Sequence, residues 1–159
     1  MARVTLTAIA AGILAVSFGT TGGAEGKTEY VSYAGHWVWN AKESHHDAAL
    51  PAQAQETLDV TDDGKTVTIH DVATMADGKT ATHEFKGAYD GKPAEMGDGM
   101  SNAMKHVSAN SFSNRWTMKG VGHGHDVCTY SDDHSTLTCK GTETFGKKTT
   151  PYIDVWNKS

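Results

Sequence analysis

From about residue 54 onward the chain reads as short runs in which apolar and polar residues alternate, rich in Thr and Val. Turn signals divide the runs about every ten to twelve residues: Asp62-Asp63-Gly64-Lys65, Ala76-Asp77-Gly78-Lys79, Asp90-Gly91-Lys92, Ala109-Asn110, Asp132-Asp133-His134 and Gly146-Lys147-Lys148. Alternation at period two marks half-buried strands, and tight polar breaks between them mark hairpins. The pattern predicts strands over 36–40, 54–61, 65–74, 79–88, 102–108, 111–121, 124–131, 135–145 and 151–157. Eight or nine such strands with no helical crossover form an antiparallel meander, and closing it into an up-and-down β-barrel removes its exposed edges. Lys42 to Gln55, with Pro51 and several Ala, has room for one short helical turn, and residues 25–34 are expected to form a loose N-terminal arm ahead of a single barrel domain over 35–159.

Hairpin pairing also assigns faces. An even-numbered loop at Asp133-His134 sets Tyr130 opposite Leu137 and Cys128 opposite Cys139, so the two thiols meet, with Asp126, Gly141 and Phe145 on the same side. Thr136, Thr138, Lys140, Thr142 and Thr144 then form an outer ladder. A turn at Ala109-Asn110 sets Val107 opposite Phe112 and brings Trp116 and Met118 to that side. Met104 is out of phase with Val107, and a bulge between them would return both to the interior. Ala81, His83 and Phe85 share an inner face.

Composition adds a compartment and removes some partners. Arg3, the apolar run from Ala8 to Val16, and the small residues Gly22 and Ala24 have the form of a cleaved secretory leader over 1–24. Ser17, Gly19, Thr20 and Thr21 interrupt the run too early for a membrane span, and no Cys near the cut could carry a lipid. The remaining 135 residues fit one domain in the periplasm or outside the cell. Only seventeen of them are Leu, Ile, Val or Phe. Four Trp, five Tyr and sixteen Thr instead suit pleated surfaces around a thin, aromatic core. The net charge of −5, which becomes −6 without Arg3, excludes a nucleic-acid binder that works by neutralising phosphates. In an oxidising compartment Cys128 and Cys139 are expected to form a disulfide.

The stretch from Tyr33 to Ser44 holds Gly35-His36-Trp37, a Gly-x-Trp at the start of the first strand, continued by Asn40 and Lys42. It resembles the opening of lipocalins and related calycin barrels, and the Thr-rich hairpins that follow resemble small secreted bacterial proteins of that type. The resemblance implies that Gly35 and Trp37 are structural, the Trp plugging the closed end of the barrel. The late Arg that stacks on this Trp in the family has no counterpart, because Arg115 is the only Arg after the leader.

Nine His invite a metal reading. His123 and His125, two apart on a strand, share a face and could chelate an ion, or could be solvated residues of a Gly-rich hairpin. His45-His46-Asp47 poses the same choice on a loop. His83, pointed inward beside Phe85, could orient a ligand, bind haem iron or act as a base, or be a satisfied core residue. Met100, Asn102, Met104 and His106 alternate on one face and can be soft ligands or packing. Asp126 and Glu143 could share the inner face, but no nucleophile sits in a recognisable setting, which leans against an enzyme.

The leading expectation is a secreted binding protein. It would hold a small apolar or amphipathic molecule among His83, Phe85, Met104, Phe112, Trp116, Met118, Tyr130 and Phe145, with no catalytic residue, cofactor or metal assigned and no oligomeric state implied. The alternatives are a His-dependent metal or haem barrel and a cell-envelope structural or inhibitor protein acting through its loops.

Overall fold

The computed structural model describes residues 29–46 and 53–159. They form ten strands: β1 (Gly35–Trp39), β2 (Gln53–Asp62), β3 (Thr66–Met75), β4 (Thr80–Ala88), β5 (Ala94–Gly97), β6 (Met100–Ser108), β7 (Ser111–Met118), β8 (Gly122–Tyr130), β9 (Thr136–Phe145) and β10 (Lys148–Lys158). All pairings are antiparallel in the order β4-β3-β2-β1-β10-β9-β8-β7-β6-β5. The first strand therefore pairs with the last, which leaves one seam where β4 and the loop after it face β5 and β6. There Gly91 N donates to Met104 O at 2.8 Å and Asp90 bridges to Lys105. The result is the expected all-β, nearly closed barrel, compatible with a calycin-like fold.

The strand count of ten exceeds the eight or nine expected. The addition is the four-residue β5, whose alternation is hidden by a register shift at Glu95/Gly97 and by the left-handed turn at Gly97, Asp98 and Gly99. Among the described residues there is no helix, so none is long and apolar enough to cross a membrane. The expected leader at 1–24, residues 25–28 of the arm, and residues 47–52 of the expected helical turn lie outside the described residues. Within the arm, Val31 N donates to Ala109 O at 2.8 Å and Tyr33 is buried against Trp37 and Phe112.

Register follows the hairpin arithmetic on one side of the barrel and departs from it on the other. Cys128 faces Cys139, and Tyr130 faces Leu137, as expected, and the two sulfurs are bonded. On β6, however, the bulge falls between His106 and Ser108, so His106 rather than Val107 stands opposite Phe112. Val107 is the extra residue of the bulge and is exposed, while Met104 and His106 stay inside.

One end of the barrel is filled. Trp37, Phe85, Met104, Leu137, Val67 and Cys128 are each less than 2% exposed and pack with Leu58, Val60, Ile69, Phe112, Tyr130 and Trp156. Trp37 donates from its indole N–H to Tyr33 O at 2.9 Å, which satisfies the one polar group it buries. The ammonium of Lys158 lies 5.2 Å from the centroid of the Trp37 ring, within cation–π range. Gly35, at φ 144°, leaves room for that Lys: a Cβ there would come within 2.5 Å of its Cε.

Candidate functional site

Beyond the apolar end the inner wall becomes polar. The alternation of β8, β9 and β10 turns Asp126, Glu143, Tyr152 and Asp154 inward, and two glycines set the space between them. Gly141 stands between Asp126 and Tyr152, and a Cβ on it would lie 2.6 Å from Asp126 Cβ and 2.0 Å from His125 O. Gly124 stands between Trp116 and Glu143, and a Cβ on it would meet the Trp116 ring at 2.6 Å. Bare backbone thus lets the carboxyl and the indole lie flat on the wall.

His46 joins them from a different part of the chain. After β1, Asn40 O accepts from Glu43 N and Ser44 N, and a three-residue turn over 41–43 carries the chain back to β10. There His45 bridges to Ile153, and Val155 N donates to Ser44 Oγ at 2.9 Å. This return leaves the His46 ring stacked on Tyr152, with centroids 5.3 Å apart.

The side chains form two polar sets, joined by the stacking of His46 on Tyr152. Tyr152 donates to Asp126 Oδ2, Asn114 Nδ2 donates to Asp126 Oδ1 at 3.0 Å, and the Trp116 indole N–H reaches the Tyr152 oxygen at 3.4 Å. His46 Nε2 lies 2.6 Å from Asp154 Oδ1, which also accepts from the Trp39 indole N–H at 2.8 Å, and His46 Nδ1 lies 3.6 Å from Glu143 Oε2. Three carboxyl groups and one imidazole therefore meet on one wall. On the far side of the sheet order His83 Nδ1 lies 3.3 Å from Asp71 Oδ2. Asp71 Oδ1 and Asn102 Oδ1 are buried and accept no hydrogen bond.

Burial decides the protonation of Asp126. Desolvation lifts its carboxyl to about 6, against the hydrogen bonds from Tyr152 and Asn114, which favour the charged form. Near neutrality this group can exchange a proton, whereas burial and the facing Asp126 hold Tyr152 as the phenol. Burial also disfavours a charged His46, but the Asp154 hydrogen bond and the charges of Asp154 and Glu143 outweigh it and raise its pKa.

The eight residues expected to border a ligand fall into two groups. Phe85, Met104, Phe112 and Tyr130 belong to the packed core cluster. Trp116, Met118 and Phe145 are half-buried toward the other end, with Trp116 and Phe145 in ring contact at 5.9 Å, and His83 pairs with Asp71 on the inner wall. His123 and His125 share the outer face of β8, opposite Thr117 and Arg115. Among the described residues, one group of three possible metal donors converges, Asp126, Cys128 and Cys139, and its sulfurs are spent in the disulfide. Sequence reasoning missed Trp39, Tyr152 and Asp154, and weighed His46 only as a loop residue that could chelate a metal. For the last two the signal was present, because Tyr152, Asp154 and Trp156 alternate along one strand. Comparison with known proteins finds no matching family model and no matching curated protein.

Proposed function

We propose that this protein is a secreted, lipocalin-like binding module for a small amphipathic molecule. The polar end of the ligand carries hydrogen-bond donors or positive charge and meets Asp126, Glu143 and Asp154, and its apolar part lies along Trp116, Met118 and Phe145. The observation that carries this reading is the hydrogen-bonded carboxylate layer above the filled apolar end. Asp126 and Asp154 have no Lys or Arg partner among the described residues, and the acceptors Asp71 Oδ1 and Asn102 Oδ1 add to a surplus that a donor-bearing head group relieves. His83 serves as a polar anchor on the opposite wall. The leader pattern, the disulfide and the cation over Trp37 support the secreted, lipocalin-like part of the reading.

The test is a pair of amphiphiles with one chain and opposite head groups, dodecylamine and lauric acid, titrated below their micellar concentrations. The amine should change Trp fluorescence and raise the melting temperature through linkage to the native state, with affinity at least about tenfold above the acid. Trp116→Ala should weaken that binding and exposed Thr138→Ala should not. A barrel that binds neither amphiphile would remove the proposal, and one that prefers the acid would reverse the assigned polarity.

A further inference from the structure

The outer face of the same wall has the opposite charge. The outward positions of β6 to β10 carry Lys105, Arg115, Lys140, His123 and His125 and no Asp or Glu. In a protein of net charge −5 this is a local reversal, and it arises because the strand alternation spends Asp126, Glu143 and Asp154 on the interior. Among the described residues Lys105, Arg115 and Lys140 form no ion pair.

The face is also indented. A cleft of about 360 Å³ lies over β6, β7 and β8, with the small side chains of Ala103 and Ser113 in it and Lys105, Arg115 and His125 around it. Arg115 stands directly between Ala103 and His125 in the sheet, which places the guanidinium and the imidazole on adjacent strands beside the low point. Asp90, the one outward carboxylate at the rim, is held by Lys92 Nζ at 3.0 Å, and Asp126 turns its carboxyl to the interior network.

We infer that this cleft binds the oxyanion group of a small organic phosphate or sulfate monoester. A guanidinium offers two parallel N–H donors to such a group, an ammonium adds a second charge, and His125 adds a further donor. The size is at the lower end of small-molecule sites and exceeds what an inorganic anion fills, so the anion is expected to carry an organic body over Ala103 and Val127.

The experiment is calorimetric titration of the full mature chain with phenyl phosphate and, in parallel, inorganic phosphate. Phenyl phosphate should bind saturably and more weakly as salt is raised. Arg115→Gln should lower affinity at least about tenfold, corresponding to one charge-assisted bidentate contact, and Lys105→Gln several-fold. Lys147→Gln, in the turn between β9 and β10, should stay within about twofold. Inorganic phosphate should compete at the same site with lower affinity. The inference is overturned if phenyl phosphate shows no saturable binding, if Lys147→Gln costs as much as Arg115→Gln, or if inorganic phosphate binds as tightly as the ester. Arg115 and Lys105 are exposed, so unchanged melting temperatures are expected and keep a loss of binding distinct from a loss of fold.

Discussion

Replacing Asp126 by Asn should remove a pH dependence of stability that the wild-type barrel shows between about pH 4 and 6. Asp126 is buried and its carboxyl is lifted from the ordinary aspartate value of 3.8 to about 6. Below pH 3.8 the group is protonated in both folded and unfolded chains and costs nothing. As pH rises from there the unfolded chain ionises first, so the folded state binds more protons and stability falls until the folded group also ionises near pH 6. The displacement corresponds to about 3 kcal/mol at ~1.4 kcal/mol per pH unit. Other groups act in different windows. The exposed turn residues Asp63, Asp77, Asp90 and Asp133 have lowered pKa values from hydrogen bonds in their turns, so their contribution is present above 3.8 and is lost on acidification below it. His46, raised above 6.5, contributes stability at pH 6 that is lost as pH rises through its folded value. Urea unfolding of wild type and Asp126→Asn at pH 4, 5, 6, 7 and 8 isolates the Asp126 effect as the difference between the two curves. The stability gap should move by about 2.4 kcal/mol in favour of the variant between pH 4 and 7, and parallel curves across that range would refute the reasoning.

Loss of the Cys128–Cys139 bond in a Cys128→Ser/Cys139→Ser variant should cost about 2–3 kcal/mol, as closing a short loop predicts, and the wild-type protein should take up no alkylating agent without reductant. Trp37→Ala should cost about 3–5 kcal/mol in chemical unfolding, because it empties the plug of the filled end, while Lys158→Ala should cost no more than about 1 kcal/mol. Gly141→Val should abolish folding or lower the melting temperature sharply, since its first side-chain carbon would lie 2.0 Å from the His125 carbonyl oxygen; a normal melting curve would contradict the close approach. N-terminal sequencing of exported protein should read from Glu25, and a retained Met1 would overturn the expected leader.

What could be read from the sequence is what period-two alternation and short turns determine locally. The β8–β9 hairpin is such a case: one even-numbered turn fixes Cys128, Tyr130, Leu137 and Cys139 at once, and with them the inward direction of Asp126. The β6–β7 hairpin was open to error because a bulge adds one residue and reverses every side chain on one side of it, as Val107 and His106 do. β5 has too few residues for alternation to register. The placement of His46 in the barrel was beyond local reasoning. Its place over Tyr152 depends on a turn at 41–43 and on partners more than a hundred positions away, and nothing in His45-His46 itself records that.

The sheet between the two sites explains why one chain can hold opposite charges so close together. On β8 the order Gly124, His125, Asp126 sends the imidazole out and the carboxyl in, and on β7 Arg115 points out between the inward Asn114 and Trp116. Burial lifts Asp126 to about 6 although the hydrogen bonds from Tyr152 and Asn114 and the charge of the outward His125 act the other way, so desolvation outweighs them all. Arg115 forms no ion pair among the described residues, and the proposed outer site draws on its guanidinium. The two faces are therefore separable by mutation. Asp126→Asn should change the response to an amine inside and leave phenyl phosphate binding outside intact, and Arg115→Gln should do the reverse. Coupled losses in both variants would mean that the wall acts as one electrostatic unit.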